Sequence, residues 1–249
     1  MLNPVPEYIL ERIRRPSPGN LEVVVPGSTP VVSFGNAQTA RIATLGLNPS
    51  RVEFLDAHGS LFDGPERRLA THTSLGTSDL ARAPLTTVLQ LLEDCNSYFQ
   101  RRPYRRWFDQ LMPMLGACGA SYYDGTACHL DLVQWATDPT WQNLPRDTRR
   151  QLIGDDAEFL TNQIRSERFG LMLVNGMGAL NELRGTLGAA LELQEVEPIE
   201  DLAVRRTRVF TGTIFERVRV VGWSTNIQSS FGVTSGLRSE LARRASRGG

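Results

Sequence analysis

The chain has 249 residues, and its 27 basic and 27 acidic side chains cancel. That length suits one large domain or two small ones with a substantial core, and the neutral balance excludes a protein uniformly coated for nucleic acid. No apolar run approaches the roughly 20 residues of a membrane span, and the opening stretch MLNPVPEYILERIRRPSPG lacks the apolar core of a signal peptide. A soluble, cytoplasmic, monomeric protein is expected.

The single-residue inventory narrows the chemistry. There is no lysine, so every basic residue is an arginine and no side-chain amine can form a Schiff base. Cys95, Cys118 and Cys128 form no C-x-x-C and fall short of the four thiolates of an iron–sulfur cluster. They are expected as reduced, mostly buried thiols. His58, His72 and His129 are too scattered to spell a metal site, and His129 is expected as a hydrogen-bonded histidine near a strand end.

In chain order, Leu21 to Val25 and Val31 to Phe34 are expected as edge strands. Arg41 to Leu45 is the first buried strand of a parallel sheet. It ends in Gly46, and Leu47-Asn48-Pro49-Ser50 follows. Pro49 pushes Asn48 out of the helical region and holds its amide in one direction at a strand's carboxyl end, where open parallel sheets bind ligands. The same Asn-Pro pair also reads as an ordinary turn.

Ser78 to Cys95 carries apolar residues at helical spacing after a Ser/Asp start. Tyr104 to Leu115 is a second helix, Thr126 to Val133 a second strand and Asp147 to Arg168 a third helix. Gly170 to Val174 is a strand, Gly176 to Leu187 a helix, and Val218 to Gly222 the last central strand. Leu191 to Val196 and Val204 to Phe210 are candidate edge strands. Ser235 to Arg247 closes the chain as a helix.

Strand–helix alternation gives an α/β fold, a three-layer α/β/α sandwich with a central, mainly parallel sheet. A single domain over residues 1–249 is expected, with a helical insertion at about 63–123. In LVNGMGAL, Gly176 and Gly178 follow a strand and open a helix. Asn181 replaces the third glycine of a dinucleotide fingerprint, so the two glycines read as close strand–helix packing.

Three strand ends now stand together. GLNPS follows the first central strand, HLDLVQWAT carries Asp131 near the end of the second, and GWSTNIQSSFG follows the fourth. This order resembles the uracil-DNA glycosylase superfamily, with its G-x-[ND]-P motif, a base-reading Asn in a middle strand and an H-P-S-P-like loop. The resemblance implies that Asn48 positions the attacking water and that Phe62, in SLFDG, stacks on the extruded base beside Leu47. It implies that Asp131 reads the base where many members carry Asn. It also places Ser50 and the loop residues Thr225, Gln228, Ser229 and Ser230 against DNA. The family's His is absent, because Gly222-Trp223-Ser224 stands where H-P-S would be.

The residue types suit N-glycosidic hydrolysis. The sugar cation is reactive, so its water needs positioning more than deprotonation, which a neutral Asn can do. The departing base needs hydrogen-bond donors, and Ser224, Asn226 or loop N–H groups can supply them. Ile227 or Phe231 could serve as an apolar wedge for base flipping, and both could equally belong to the core. Arg101 with Arg102 and Arg205 with Arg206 are candidate phosphate contacts, although a solvated face is the commoner meaning of such clusters.

Asp131 departs informatively from Asn. A carboxylate accepts from the N4 amino group of cytosine, and a protonated carboxyl complements N3 as well. An Asp that merely caps the following loop fits the residue too. Plain cytosine would be a self-destructive target, whereas a modified one would not. Branches of the superfamily are implicated in defence against phages with glucosylated hydroxymethylcytosine. The expectation is a monofunctional DNA glycosylase for a modified cytosine, with no metal and no cofactor. The runner-up is a repair enzyme for uracil or another deaminated base. Two other readings are a non-catalytic binder of modified DNA or nucleotides and a dinucleotide enzyme using Gly176 and Gly178.

Overall fold

A computed structural model describes residues 5–18, 22–201 and 205–247. Its fold is α/β, with a six-stranded, mainly parallel central sheet flanked by helices, as in a three-layer α/β/α sandwich. The helices are α1 (Glu7–Arg14), α2 (Leu85–Asn96), α3 (Arg105–Phe108), α4 (Met112–Ala117), α5 (Arg146–Ser166), α6 (Met177–Leu187) and α7 (Ser235–Ser246). The strands are β1 (Ile42–Gly46), β2 (Ala127–Asp131), β3 (Leu171–Asn175), β4 (Leu191–Asp201), β5 (Arg205–Ile214) and β6 (Val218–Trp223). No helix among the described residues is long and apolar enough to cross a membrane.

The chain divides into two compact units. The first comprises residues 1–34, 47–103 and 131–166, and the second comprises 35–46, 104–130 and 167–249. The segment expected as an insertion is shared out, with 63–103 in the first unit and 104–123 in the second.

The second unit holds the sheet, in the order β2-β1-β3-β6-β5-β4. β1, β3 and β6 run parallel, and β5 and β4 continue antiparallel. All of β3 is buried, and so is β1 up to Leu45, which explains their near-continuous apolar sequences. Thr44, the polar exception in β1, is satisfied by Tyr122 Oη at 2.6 Å and His129 Nδ1 at 2.7 Å. His129 is therefore a hydrogen-bonded core histidine. The edge strand β4 is rich in Glu, and its register shifts between Val196 and Ile199, where Pro198 sits. Charge, proline and an irregularity all discourage further strand addition.

In the first unit, α1 packs on α5 through a buried arginine. Arg12 Nε donates to Gln134 Oε1 at 3.0 Å and Nη2 donates to Asp156 Oδ2 at 3.1 Å. The same Asp156 oxygen accepts from the Gln134 backbone N–H at 2.8 Å. The segment that follows Asp131 is thus fixed by a buried ion pair.

Proline explains most departures from the expected elements. α2 begins at Leu85 rather than Ser78, because Pro84 drives Ala83 out of helical geometry. Ahead of it, Thr77 and Asp79 close turns, with the Ala81 N–H bonded to Asp79 Oδ1 at 2.9 Å. The helix expected over Tyr104 to Leu115 splits into α3, a 3₁₀ turn and α4, with Pro113 in the first turn of α4. Residues 22–25 and 31–34 form no edge strand. They make single contacts along the 134–137 segment, such as Val31 N–H to Gln134 O at 2.8 Å, and Pro26, Gly27 and Pro30 interrupt them. Leu21 and Val204, at the starts of two expected strands, lie outside the described residues.

Candidate active site

Of the expected site residues, Leu47, Asn48, Ser50, Phe62, Arg101, Arg102 and Asp131 belong to the first unit. Arg205, Arg206 and the loop from Ser224 to Ser230 belong to the second.

In the first unit, β1 hands over to Leu47 and Asn48. Leu47 packs against the cluster of Val133, Trp135, Trp141, Leu144 and Leu152, and its carbonyl accepts from the Val133 N–H at 2.9 Å. This pins the 47–49 backbone alongside the 133–137 segment. Asn48 is half-buried. Its Nδ2 lies 3.0 Å from Thr137 Oγ1, 3.2 Å from Trp135 O and 3.1 Å from Pro49 O. Two carbonyl acceptors decide which end of the amide is the nitrogen. Asn48 Oδ1 takes no hydrogen bond among the described residues. A fixed amide with a spare acceptor can orient one proton of a water. Ser50 is exposed and bridges to Thr137, and next to it Arg51 forks onto Asp138 at 3.0 and 3.1 Å.

Asp131 closes β2 and is buried, 6% exposed. Its carbonyl accepts from Gln134 Nε2 at 2.8 Å. Its charge acts on Glu53, a residue that sequence reasoning missed. Glu53 lies in the 3₁₀ turn after Ser50, is 2% exposed, and accepts a 2.6 Å hydrogen bond from Tyr98 Oη. Burial pushes its carboxyl up to about 7. The Tyr98 hydroxyl and the Arg68 guanidinium oppose that shift, and the Asp131 charge reinforces it. Arg68 in turn lies over the Phe62 ring, 5.6 Å from its centroid. The half-buried Phe62 is held by its N–H bond to Phe54 O at 2.8 Å. Electrostatic and ring contacts therefore link Phe62, Arg68, Glu53 and Asp131 within one unit.

In the second unit, the loop after β6 is organised by Asn175, another residue not foreseen. Asn175 ends β3 and is 6% exposed. Its Oδ1 accepts from Trp223 Nε1 at 2.8 Å and from the Ile227 N–H at 3.0 Å. Its Nδ2 donates to Asn226 Oδ1 and Gln228 Oε1, each at 2.8 Å. Asn226 Oδ1 also accepts from the Gln228 N–H, and Gln228 Nε2 donates to Trp107 O at 3.2 Å. Ser224 Oγ accepts from the Arg208 N–H at 3.0 Å, and Thr225 shares a 2.7 Å hydroxyl contact with buried Thr207.

Ser229 and Ser230 are exposed, and both backbone N–H groups bond to Asn226 O. Of the two wedge candidates, Ile227 is 2% exposed and belongs to the core, while Phe231 is fully exposed. Gly176 has φ +97°, a conformation that favours glycine, and a Cβ there would lie 3.1 Å from Asn226 Cβ. Its role is close packing under this loop.

Arg101 pairs with Asp94, which Arg67 also contacts at 2.8 Å, and Arg102 pairs with Glu66. Arg206 lies 3.5 Å from Glu200. The side chain of Arg205 lies outside the described residues.

Comparison with protein-family models and with curated proteins finds no match.

Proposed function

We propose that the protein is a monofunctional DNA glycosylase acting on a flipped, modified cytosine. The observation that carries the reading is the Asn48 amide, fixed through Nδ2 with Oδ1 left to hold a water. The resemblance of GLNPS, HLDLVQWAT and GWSTNIQSSFG to the uracil-DNA glycosylase superfamily points the same way. In this account the base stacks on Phe62 beside Leu47, and Asp131 accepts from the N4 amino group. Buried Glu53, coupled to Asp131 by charge, sets the electrostatics around it. As the glycosidic bond breaks, Asn48 orients the water toward the sugar cation. The resemblance assigns the leaving base to the Ser224 hydroxyl and phosphates to Ser50, Ser229 and Ser230. Phe231 is the wedge.

A glucosylated hydroxymethylcytosine in foreign DNA is the favoured substrate, and uracil is the alternative. The chain works in the cytoplasm, as a monomer, on DNA, and without metal or cofactor. One observation favours a second reading, a non-catalytic binder of modified DNA. The amides of Asn226 and Gln228 are engaged in holding their own loop.

The test is incubation with duplexes carrying cytosine, hydroxymethylcytosine, its glucosylated form or uracil, followed by alkali. The expected outcome is an alkali-labile abasic site in the glucosylated duplex, without strand scission beforehand. Binding to that duplex with no abasic site in any of them supports the binder instead.

A further inference from the structure

In the second unit, the sheet face under α6 carries an arginine cluster beside the 224–230 loop. Arg206, Arg208 and Phe210 alternate along β5 and share one face. Gly222 pairs with Phe210 across β6 and β5, and a Cβ at Gly222 would lie 2.5 Å from Leu180 Cδ2. That close approach seats α6 on this face. One turn after Leu180, Arg184 reaches the buried Phe210 ring, with Cζ 4.9 Å from its centroid. Arg208 Cζ lies 5.1 Å from the same centroid. The Ser224 N–H donates to Arg208 O and the Arg208 N–H to Ser224 Oγ, each at 3.0 Å. The Arg208 backbone is thus tied to the first residue of the loop.

The two guanidiniums differ in what holds them. Arg208 forks onto Glu195, through Nε at 3.0 Å and Nη2 at 2.6 Å. Arg184 makes no hydrogen bond and no ion pair through its guanidinium among the described residues. Glu195 acts on it only at longer range. The Glu195 carboxyl is held below its ordinary value mainly by the Arg208 hydrogen bond, and the charges of Arg206 and Arg184 add to that effect. Arg206 has its own partner in Glu200. Three arginines therefore meet two carboxylates, and half-buried Arg184 is the one whose donors stay unspent within the described chain.

We propose that Arg184, with Arg208 beside it, holds a backbone phosphate of bound DNA next to the 224–230 loop. A guanidinium placed over a ring and lacking an acceptor matches phosphate oxygens in shape and charge. Ser229 and Ser230 expose further donors on the loop to which Arg208 is tied, which suits a row of phosphates. The choice of DNA rests on the glycosylase reading.

The test is the salt dependence of binding between the full chain and an unmodified duplex. Arg184→Met keeps an apolar stem over Phe210 and removes the charge, whereas Arg184→Lys keeps the charge and loses the fork. The slope of log affinity against log salt should be shallower by about one unit in Arg184→Met and unchanged in Arg184→Lys. Four results would overturn the proposal. They are no binding of the duplex by the wild type, a wild-type slope in Arg184→Met, an equal loss of slope in Arg184→Lys, and displacement of the duplex by polyglutamate of equal charge. Abasic-site formation on the glucosylated duplex reads the excision assignment separately. Should it be absent while the slope falls in Arg184→Met, the phosphate contact stands and the glycosylase reading fails.

Discussion

At Asn48, one end of a side-chain amide is fixed and the other is left over. At Asn175, both ends are fixed. Asn48 Nδ2 is held by Thr137, Trp135 and Pro49 while Oδ1 takes no bond among the described residues. Asn175 takes two donors on Oδ1 and gives two bonds from Nδ2. Both residues follow buried strand runs and both are asparagines, yet only one has capacity to spare. Polar residues at strand ends divide into those that build a loop and those that can act on something else. The hydrogen-bond count of each atom distinguishes them.

The largest effect on stability is expected at the saturated amide. Asn175→Ala leaves the Trp223 indole N–H and the Ile227 N–H buried without their acceptor, at about 1–3 kcal/mol each. Urea unfolding should show a loss of about 3 kcal/mol. A loss within 0.5 kcal/mol, the usual range for surface changes of roughly that size, would mean the amide does not organise the loop.

Glu53 gives an effect of similar size that depends on pH. Its folded carboxyl lies at about 7 against an ordinary 4.5. Between those values the folded state holds a proton that the unfolded state has released. Glu53 therefore stabilises the fold fully at acid pH, and this contribution is lost as pH rises through that window. The lost contribution is about 3 kcal/mol by linkage. Glu53→Gln cannot titrate, so its urea stability should fall less than the wild type's between pH 5 and pH 7, by about 2 kcal/mol of that total. Parallel pH profiles for the two proteins would contradict the raised carboxyl.

Asp131→Asn should move base preference from a cytosine edge toward a uracil edge. A bidentate contact of this kind is worth roughly 1–3 kcal/mol, so the ratio of single-turnover rates on the two duplexes should shift about tenfold or more. An unchanged ranking would remove Asp131 from base reading and leave the rest of the account standing. The smallest effect belongs to the arginine pairs. Arg101 and Arg102 already contact Asp94 and Glu66. Arg101→Ala with Arg102→Ala should flatten the salt dependence of DNA binding by at most about one charge unit per lost contact. A larger change would mean these ion pairs open to take phosphate.

The central strands were legible because buried parallel strands read as apolar runs, and LMLVN and IATLG are buried along almost their whole length. Helix starts were less legible. The periodic pattern ran straight through Pro84 and Pro113, and the backbone restriction at each proline outweighed it. Asn48 stood out because Pro49 follows it. Asn175 carried the same local signal, a polar residue ending an apolar run, and could have been found by it. Glu53 carried no such signal. What makes it unusual is burial against Tyr98, 45 residues away in the chain, together with the Asp131 charge. Those are tertiary facts with no local pattern. For the same reason, the row of polar residues after β6 read as a binding loop although Asn226 and Gln228 bond to Asn175.

The most direct test of the account measures two quantities on wild type and Asn48→Ala with one glucosylated-hydroxymethylcytosine duplex. These are the single-turnover rate of free-base release and the equilibrium affinity for the duplex. A water-positioning amide predicts a rate lower by roughly a hundredfold or more, with affinity nearly unchanged. A wild-type rate in the variant, or a loss of affinity that accounts for the whole loss of rate, would contradict it.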